Sequence, residues 1–256
     1  MFLFKSIISL VLLLCPLIFI PIELYYYRNV IDYKIVSLTT TNLFSLIPVS
    51  ISLYYTITNK RNMILEFIPF YCIIFTSSMY HLCQYVDNSV YCILHYNIYS
   101  YIDFINSYFC ISTVFLYVTK ITDTYEINNI RLIIYLFQLV IIILVNVRTA
   151  DNEPINITLN MIISILPLII SLCYYQKEYL YDYDKKYLLS GIFIGFIGFT
   201  TYLLIYYTII DINNYWIFHS FTWHISMFVS ASLIFKSKHL IINFDFNELD
   251  NIVTVY

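Results

Sequence analysis

Three short stretches hold the residues whose types and spacing suit chemistry: "SSMYHLC" (Ser77 to Cys83), "DFINS" (Asp103 to Ser107) and "HSFTWH" (His219 to His224). Ser77 and His81 are four residues apart, as are Asp103 and Ser107, and Ser220 and His224. On a helix, each pair shares one face. Three imidazoles and a carboxylate suit zinc, and three nitrogen ligands leave a fourth position for water, the open arrangement of a catalytic site. Zinc lowers the pKa of such a water to about 7 and polarises a carbonyl. Asp103 is then placed to orient the water or take its proton, and Ser77 to hydrogen-bond an oxyanion or a ligand. Taken singly, a histidine in an apolar helix is more often a helix–helix hydrogen-bonding group. His219 and His224 are five residues apart, which separates them by roughly 140° on an ideal α-helix, against about 40° for a spacing of four.

These stretches lie in a chain that is 61% hydrophobic and only 11% charged, where a soluble domain carries roughly a quarter charged residues. The net charge is −3 and there is no basic run, which argues against a nucleic-acid partner. Apolar segments long enough to span a bilayer cover approximately 6–23, 36–57, 63–83, 98–119, 132–147, 157–175, 188–210 and 217–235. Their continuous rather than alternating apolarity predicts helices. The expected fold is all-α: a polytopic membrane protein with a seven-transmembrane-helix bundle. Residues 1–23 read as a signal peptide or signal anchor, 24–235 as the bundle and 236–256 as a cytoplasmic tail.

Orientation follows from the basic residues. With residue 24 on the exoplasmic side, the cytoplasmic connectors and tail hold Lys60, Arg61, Lys120, Arg131, Lys177, Lys185, Lys186, Lys236 and Lys238, against Arg28, Lys34 and Arg148 outside. That bias fits the positive-inside rule. It places His81, Asp103, His219 and His224 at one membrane face, near the exoplasmic side, in the secretory pathway or plasma membrane. An intramembrane ionisable group is costly unless paired or functional, so the convergence marks a site. His95 falls in an outer connector and His239 in the tail. Cys83 and Cys92 flank that connector in an oxidising compartment, where a disulfide is expected, with two free thiols, or Cys83 as a metal ligand, as the alternatives. Cys15, Cys72, Cys110 and Cys173 read as apolar packing groups. Gly191, Gly195 and Gly198 form one smooth stripe for close helix packing. The sequon at Asn156 lies so close to a span that glycosylation is not expected.

Together, "SSMYHLC", Cys92, "DFINS" and "HSFTWH" resemble the seven-transmembrane part of the transmembrane protein 8 and myomaker family. That family belongs to the CREST superfamily, with the alkaline ceramidases and the progestin and adipoQ receptors. The superfamily pattern is S-x-x-x-H near the end of the second core helix, an aspartate opening the third, and H-x-x-x-H in the seventh. The resemblance covers most of residues 36–235. It implies that His81, His219 and His224 bind Zn2+, with Asp103 beside the activated water and Ser77 in support. It also implies a hydrolase of a lipid amide or ester bond, on a GPI-lipid or ceramide-like substrate. Myomaker serves cell fusion, so a non-enzymatic fusion, adhesion or receptor-like protein with a structural zinc site is the alternative. The departure is the spacing of five in the last motif. It leaves three outcomes open: a π-bulge brings His219 to the metal, His219 precedes the helix, or His219 has left the site. A transporter is disfavoured by the absence of paired broken helices and of mid-membrane charges.

Overall fold

The computed structural model describes residues 32–58, 64–84, 92, 94–118, 128–148, 153–175, 183–207, 209 and 215–238, together with Ile18, Ile22 and Tyr25. The expected leader over 1–23 falls almost entirely outside these residues. So do Cys15, His239 and the tail beyond Lys238.

The described residues are almost all helical and include no strand, only one isolated antiparallel bridge between Tyr183 and Lys238. In chain order the helices are α1 (Tyr33–Phe44), α2 (Leu46–Thr58), α3 (Ile64–Cys83), α4 (Tyr96–Val118), α5 (Asn128–Arg148), α6 (Glu153–Tyr175), α7 (Lys185–Tyr206), α8 (Tyr215–Phe218) and α9 (Ser226–Ser237). A π-helical segment, His219–Ile225, joins α8 to α9. Ser45 joins α1 to α2 without a change of direction, its amide bonded to the carbonyls of Thr41 and Asn42. Among the described residues, four stretches are long and apolar enough to cross a membrane: Tyr33–Tyr54, Tyr96–Val118, Lys185–Ile205 and Tyr215–Ser237. With apolar side chains such as Phe137, Phe193 and Phe196 facing outward, they describe an integral membrane protein.

Successive long helices run antiparallel. Asn42 and Ser50 of α1 and α2 meet Ser77 and Tyr71 of α3, rising against falling numbers. In the same way Ser112 of α4 meets Gln138 of α5, and Asn146 of α5 meets Asn160 of α6. These polar pairs join helices whose remaining contacts are apolar, since lipid gives little hydrophobic drive for association. Asn156 belongs to this set: its side chain donates to Asn146 Oδ1 at 3.1 Å, so the sequon lies inside helix α6 and is engaged between helices.

The core is centred on Phe235 of α9. Its ring lies 4.7 Å from Tyr117, 4.9 Å from Phe67 and 5.5 Å from Phe70. Edge-on aromatic pairs of this kind contribute about 0.5–1.5 kcal/mol each beyond area burial. At the same end, α4 is capped by distant residues: Lys238 Nζ donates to the Tyr117 carbonyl and the Tyr183 hydroxyl to the Val118 carbonyl. A cation there also complements the helix dipole.

The glycine stripe packs α7 onto α9, as its spacing suggests. A Cβ on Gly191 would stand 2.7 Å from Ile234 Cγ1, 3.0 Å from the Ser230 carbonyl oxygen and 3.2 Å from the Ile234 nitrogen. Ser230 Oγ donates to the Gly191 carbonyl at 2.7 Å. Gly191→Leu must push the two backbones apart, so thermal unfolding in detergent is expected to shift downward by several degrees, with a loss of about 1–3 kcal/mol. Leu189→Ala, on the outward face of the same helix, is expected to leave it nearly unchanged.

Candidate metal centre

The core lies at one end of the bundle and the titratable groups at the other. His81 is in the last turn of α3, fully buried, and neither of its ring nitrogens has a hydrogen-bond partner. His219 opens the π-helical segment and His224 closes its last turn. The π-helix answers the spacing question locally. Its hydrogen bonds run i→i+5, so residues five apart stack along one face where an α-helix would splay them. The ring centroids of His219 and His224 are accordingly 4.6 Å apart, and both lie close to His81, at 5.2 and 5.3 Å.

One donor atom from each of the three imidazoles lies within 4.8 Å of the other two. Zinc held at 2.0–2.1 Å in tetrahedral geometry sets its ligands about 3.4 Å apart. The rings therefore need only small rotations to close on one ion. The chemistry of the set fits a metal better than an apolar interface. His81 is buried with two orphaned nitrogens and His224 Nε2 is buried and unpartnered, a costly state for polar atoms unless something else binds them.

Asp103 projects from the first turns of α4 into the same region. Ser77 of α3 lines the same cavity as Asp103, and Asp103 Oδ1 is buried without a partner. Asn42 Nδ2 donates to Ser77 Oγ at 3.1 Å, which joins α1 to α3 beside Asp103 of α4. Ser77, expected to hydrogen-bond an oxyanion or a ligand, borders the site, and its hydroxyl accepts from Asn42. Ser220, grouped with His224 by spacing, turns towards α1 and lies 3.4 Å from Ser37 Oγ.

Two cavities meet at this point. One of about 280 Å³ runs from Asn42, Ser77, Asp103 and His224 down to Gly195 and Ile234. The other, about 170 Å³, is lined by His219, Asp103 and several tyrosines, among them Tyr80 and Tyr215. Asp103, Ser107 and Trp223 border both. Trp223 is held against Tyr202 with ring centroids 4.6 Å apart. Next to the site, Cys83 and Cys92 form a disulfide, and His95 lies apart, its Nδ1 accepting from the Asn97 amide.

A family model described as "Protein of unknown function (DUF3522)" matches residues 7–225, a stretch that includes every residue of this site. The chain belongs to the DUF3522 family. No curated protein matches it in sequence. In this DUF3522 protein, reading the sequence missed Thr41 and Asn42. Thr41 Oγ1 lies 3.2 Å from His224 Nδ1. Their signal was available: "SLTTTN", Ser37 to Asn42, is a polar run inside an otherwise apolar segment.

The π-helix also gives a direct test of how the extra residue is accommodated. Phe221 is 55% exposed, so removing it costs little burial. Deleting Phe221 is expected to turn the segment α-helical, keep His219 and His224 together at a spacing of four, and retain zinc in purified protein. Inserting an alanine after Phe221 is expected to abolish retention.

Proposed function

We propose that this protein is a zinc-dependent hydrolase within the membrane, acting on a lipid amide or ester bond. The observation that carries the reading is the position of the three imidazoles. One nitrogen from each converges with the others, both nitrogens of His81 and Nε2 of His224 being buried without a partner, and His224 borders a long apolar cavity beside a carboxylate with a free oxygen. Bound zinc with an open fourth position supplies a Lewis acid and a water acidified to near neutrality.

The chain's own residues account for the rest. His81, His219 and His224 hold the ion. Asp103 takes the proton from the attacking water and returns it to the leaving group, the role of a general base and acid. Asn42 fixes Ser77 beside Asp103 in the cavity lining. The larger cavity receives an acyl chain: along α9 it extends from His224 to Ile234, about 15 Å of helix. Because the chain comes from lipid, its burial there gives little hydrophobic drive and serves to orient it, and the apolar walls keep bulk water from the bond. Access is from the bilayer. A third cavity, about 370 Å³, is lined by Ile162 and Leu166 of α6 and Leu203 of α7, and Met161 and Phe199 border all three cavities.

In this reading the helices make seven spans: α1–α2, α3, α4, α5, α6, α7 and α8–α9. The antiparallel succession of neighbours supports that count. The excess of Lys and Arg at the opposite end supports an exoplasmic metal site and a cytoplasmic C-terminus, and the Cys83–Cys92 disulfide fits an oxidising compartment. The resemblance to the transmembrane protein 8 and myomaker family and the CREST superfamily gives the same assignment, with a GPI-lipid or ceramide-like substrate. Metal analysis of detergent-purified protein is the first test. About one zinc per chain is expected, and a chain without zinc overturns the reading.

A further inference from the structure

We infer that Thr41 is a positioning residue that fixes the tautomer of His224, so that Nε2 is the nitrogen offered to the metal. The inference rests on the metal reading above and goes beyond it, by assigning which atom of the ring ligates and what holds it there.

Thr41 Oγ1 lies 2.9 Å from the Ser37 carbonyl oxygen, 3.0 Å from the Leu38 carbonyl oxygen and 3.2 Å from His224 Nδ1. A hydroxyl has one proton and two lone pairs. The two carbonyl contacts are the shorter ones, and the Thr41 proton is assigned to them. With that assignment a lone pair remains for His224, and Nδ1 carries the hydrogen and donates it. In a neutral imidazole the lone pair then resides on Nε2, the atom that is buried with no partner. Histidine ligands commonly donate their second N–H to an oxygen in this way, which fixes ring orientation and raises ligand basicity.

Thr41 is kept in register by the helix that carries it. Tyr33 meets Trp216 edge-on at 5.3 Å, Ser37 meets Ser220 and Thr41 meets His224. The three pairs advance by four residues on both helices, so α1 runs parallel to α8 and the π segment with matched turns. Thr41 is 4% exposed, and water does not compete for its contact. His81 has no such partner on either nitrogen, so of these two buried ligands His224 is the one whose orientation is set in advance.

Two measurements test this. Nitrogen-15 NMR of metal-free, histidine-labelled protein, with His224→Gln to assign the signal, is expected to show His224 protonated at Nδ1 and bare at Nε2. The opposite tautomer overturns the inference whether or not the protein binds zinc. Thr41→Val is expected to weaken zinc binding 10–100-fold in chelator competition, without lowering the melting temperature of the metal-free protein. Thr41→Ser, which keeps the oxygen, is expected to restore affinity to within a few-fold. If wild-type protein binds zinc and Thr41→Val binds it equally well, the inference fails and the metal reading stands. If wild-type protein binds no zinc, the metal reading fails first.

Discussion

His81→Ala is expected to yield protein that purifies without zinc and hydrolyses no lipid. In the proposed zinc site, His81 is the ligand that comes from a different part of the chain. His219 and His224 share one π-helical segment, whereas His81 reaches them from α3. Its loss leaves two nitrogens, and two do not make a zinc site. Removing an outer hydrogen-bond partner of a ligand costs 10–100-fold in affinity, so loss of the ligand itself is expected to cost more than about 100-fold. Thermal unfolding gives a reading independent of turnover. A ligand that binds only the folded state at 1,000 times its Kd stabilises it by about 4.1 kcal/mol. Wild-type protein should therefore melt higher in zinc than in chelator, and His81→Ala should melt at the same temperature in both. In chelator the variant is not expected to be much weaker than wild type. It loses a buried ring but also removes two polar nitrogens with no partner. A wild-type protein with no zinc-dependent shift would rule the site out.

The helices were legible because hydropathy alone specifies them. The segment expected at 98–119 is Tyr96–Val118, and the one expected at 217–235 lies within Tyr215–Ser237. The grouping of His81, Asp103, His219 and His224 was legible for a related reason. In a chain that reverses at each connector, position along a segment fixes which end of the bundle a residue reaches. Lateral pairing was not legible, because any apolar helix face can meet any other in lipid. Thr41 and Asn42 were passed over as part of an apolar run, although they touch His224 and Ser77. Ser220 has the right spacing for His224 but faces Ser37. The π-helix was legible only as one of three outcomes. Its cause is one residue in excess of the α-helical repeat, which composition does not reveal.

Asp103→Asn separates an enzyme from a zinc-stapled bundle. Asparagine keeps the volume of aspartate and a carbonyl oxygen, and removes the capacity to take a proton. None of the three imidazoles is altered, so zinc content is expected to stay near one per chain and the melting temperature near that of wild type. Hydrolysis is expected to fall by about 10²–10⁴-fold, the usual contribution of a positioned general base. The fall should appear in kcat more than in KM, because the acyl chain is held along α9, well away from the carboxylate. The position of Asp103 supports this outcome: its Oδ1 is buried and unpartnered where the two cavities meet. A carboxylate kept only for packing would have its oxygens satisfied by the fold. Full activity in Asp103→Asn would remove the proposed base from the mechanism. A zinc-loaded wild type that hydrolyses no lipid would leave the imidazoles a structural task, holding α3 against the π-helical segment, and in that protein Asp103→Asn should change neither zinc content nor stability.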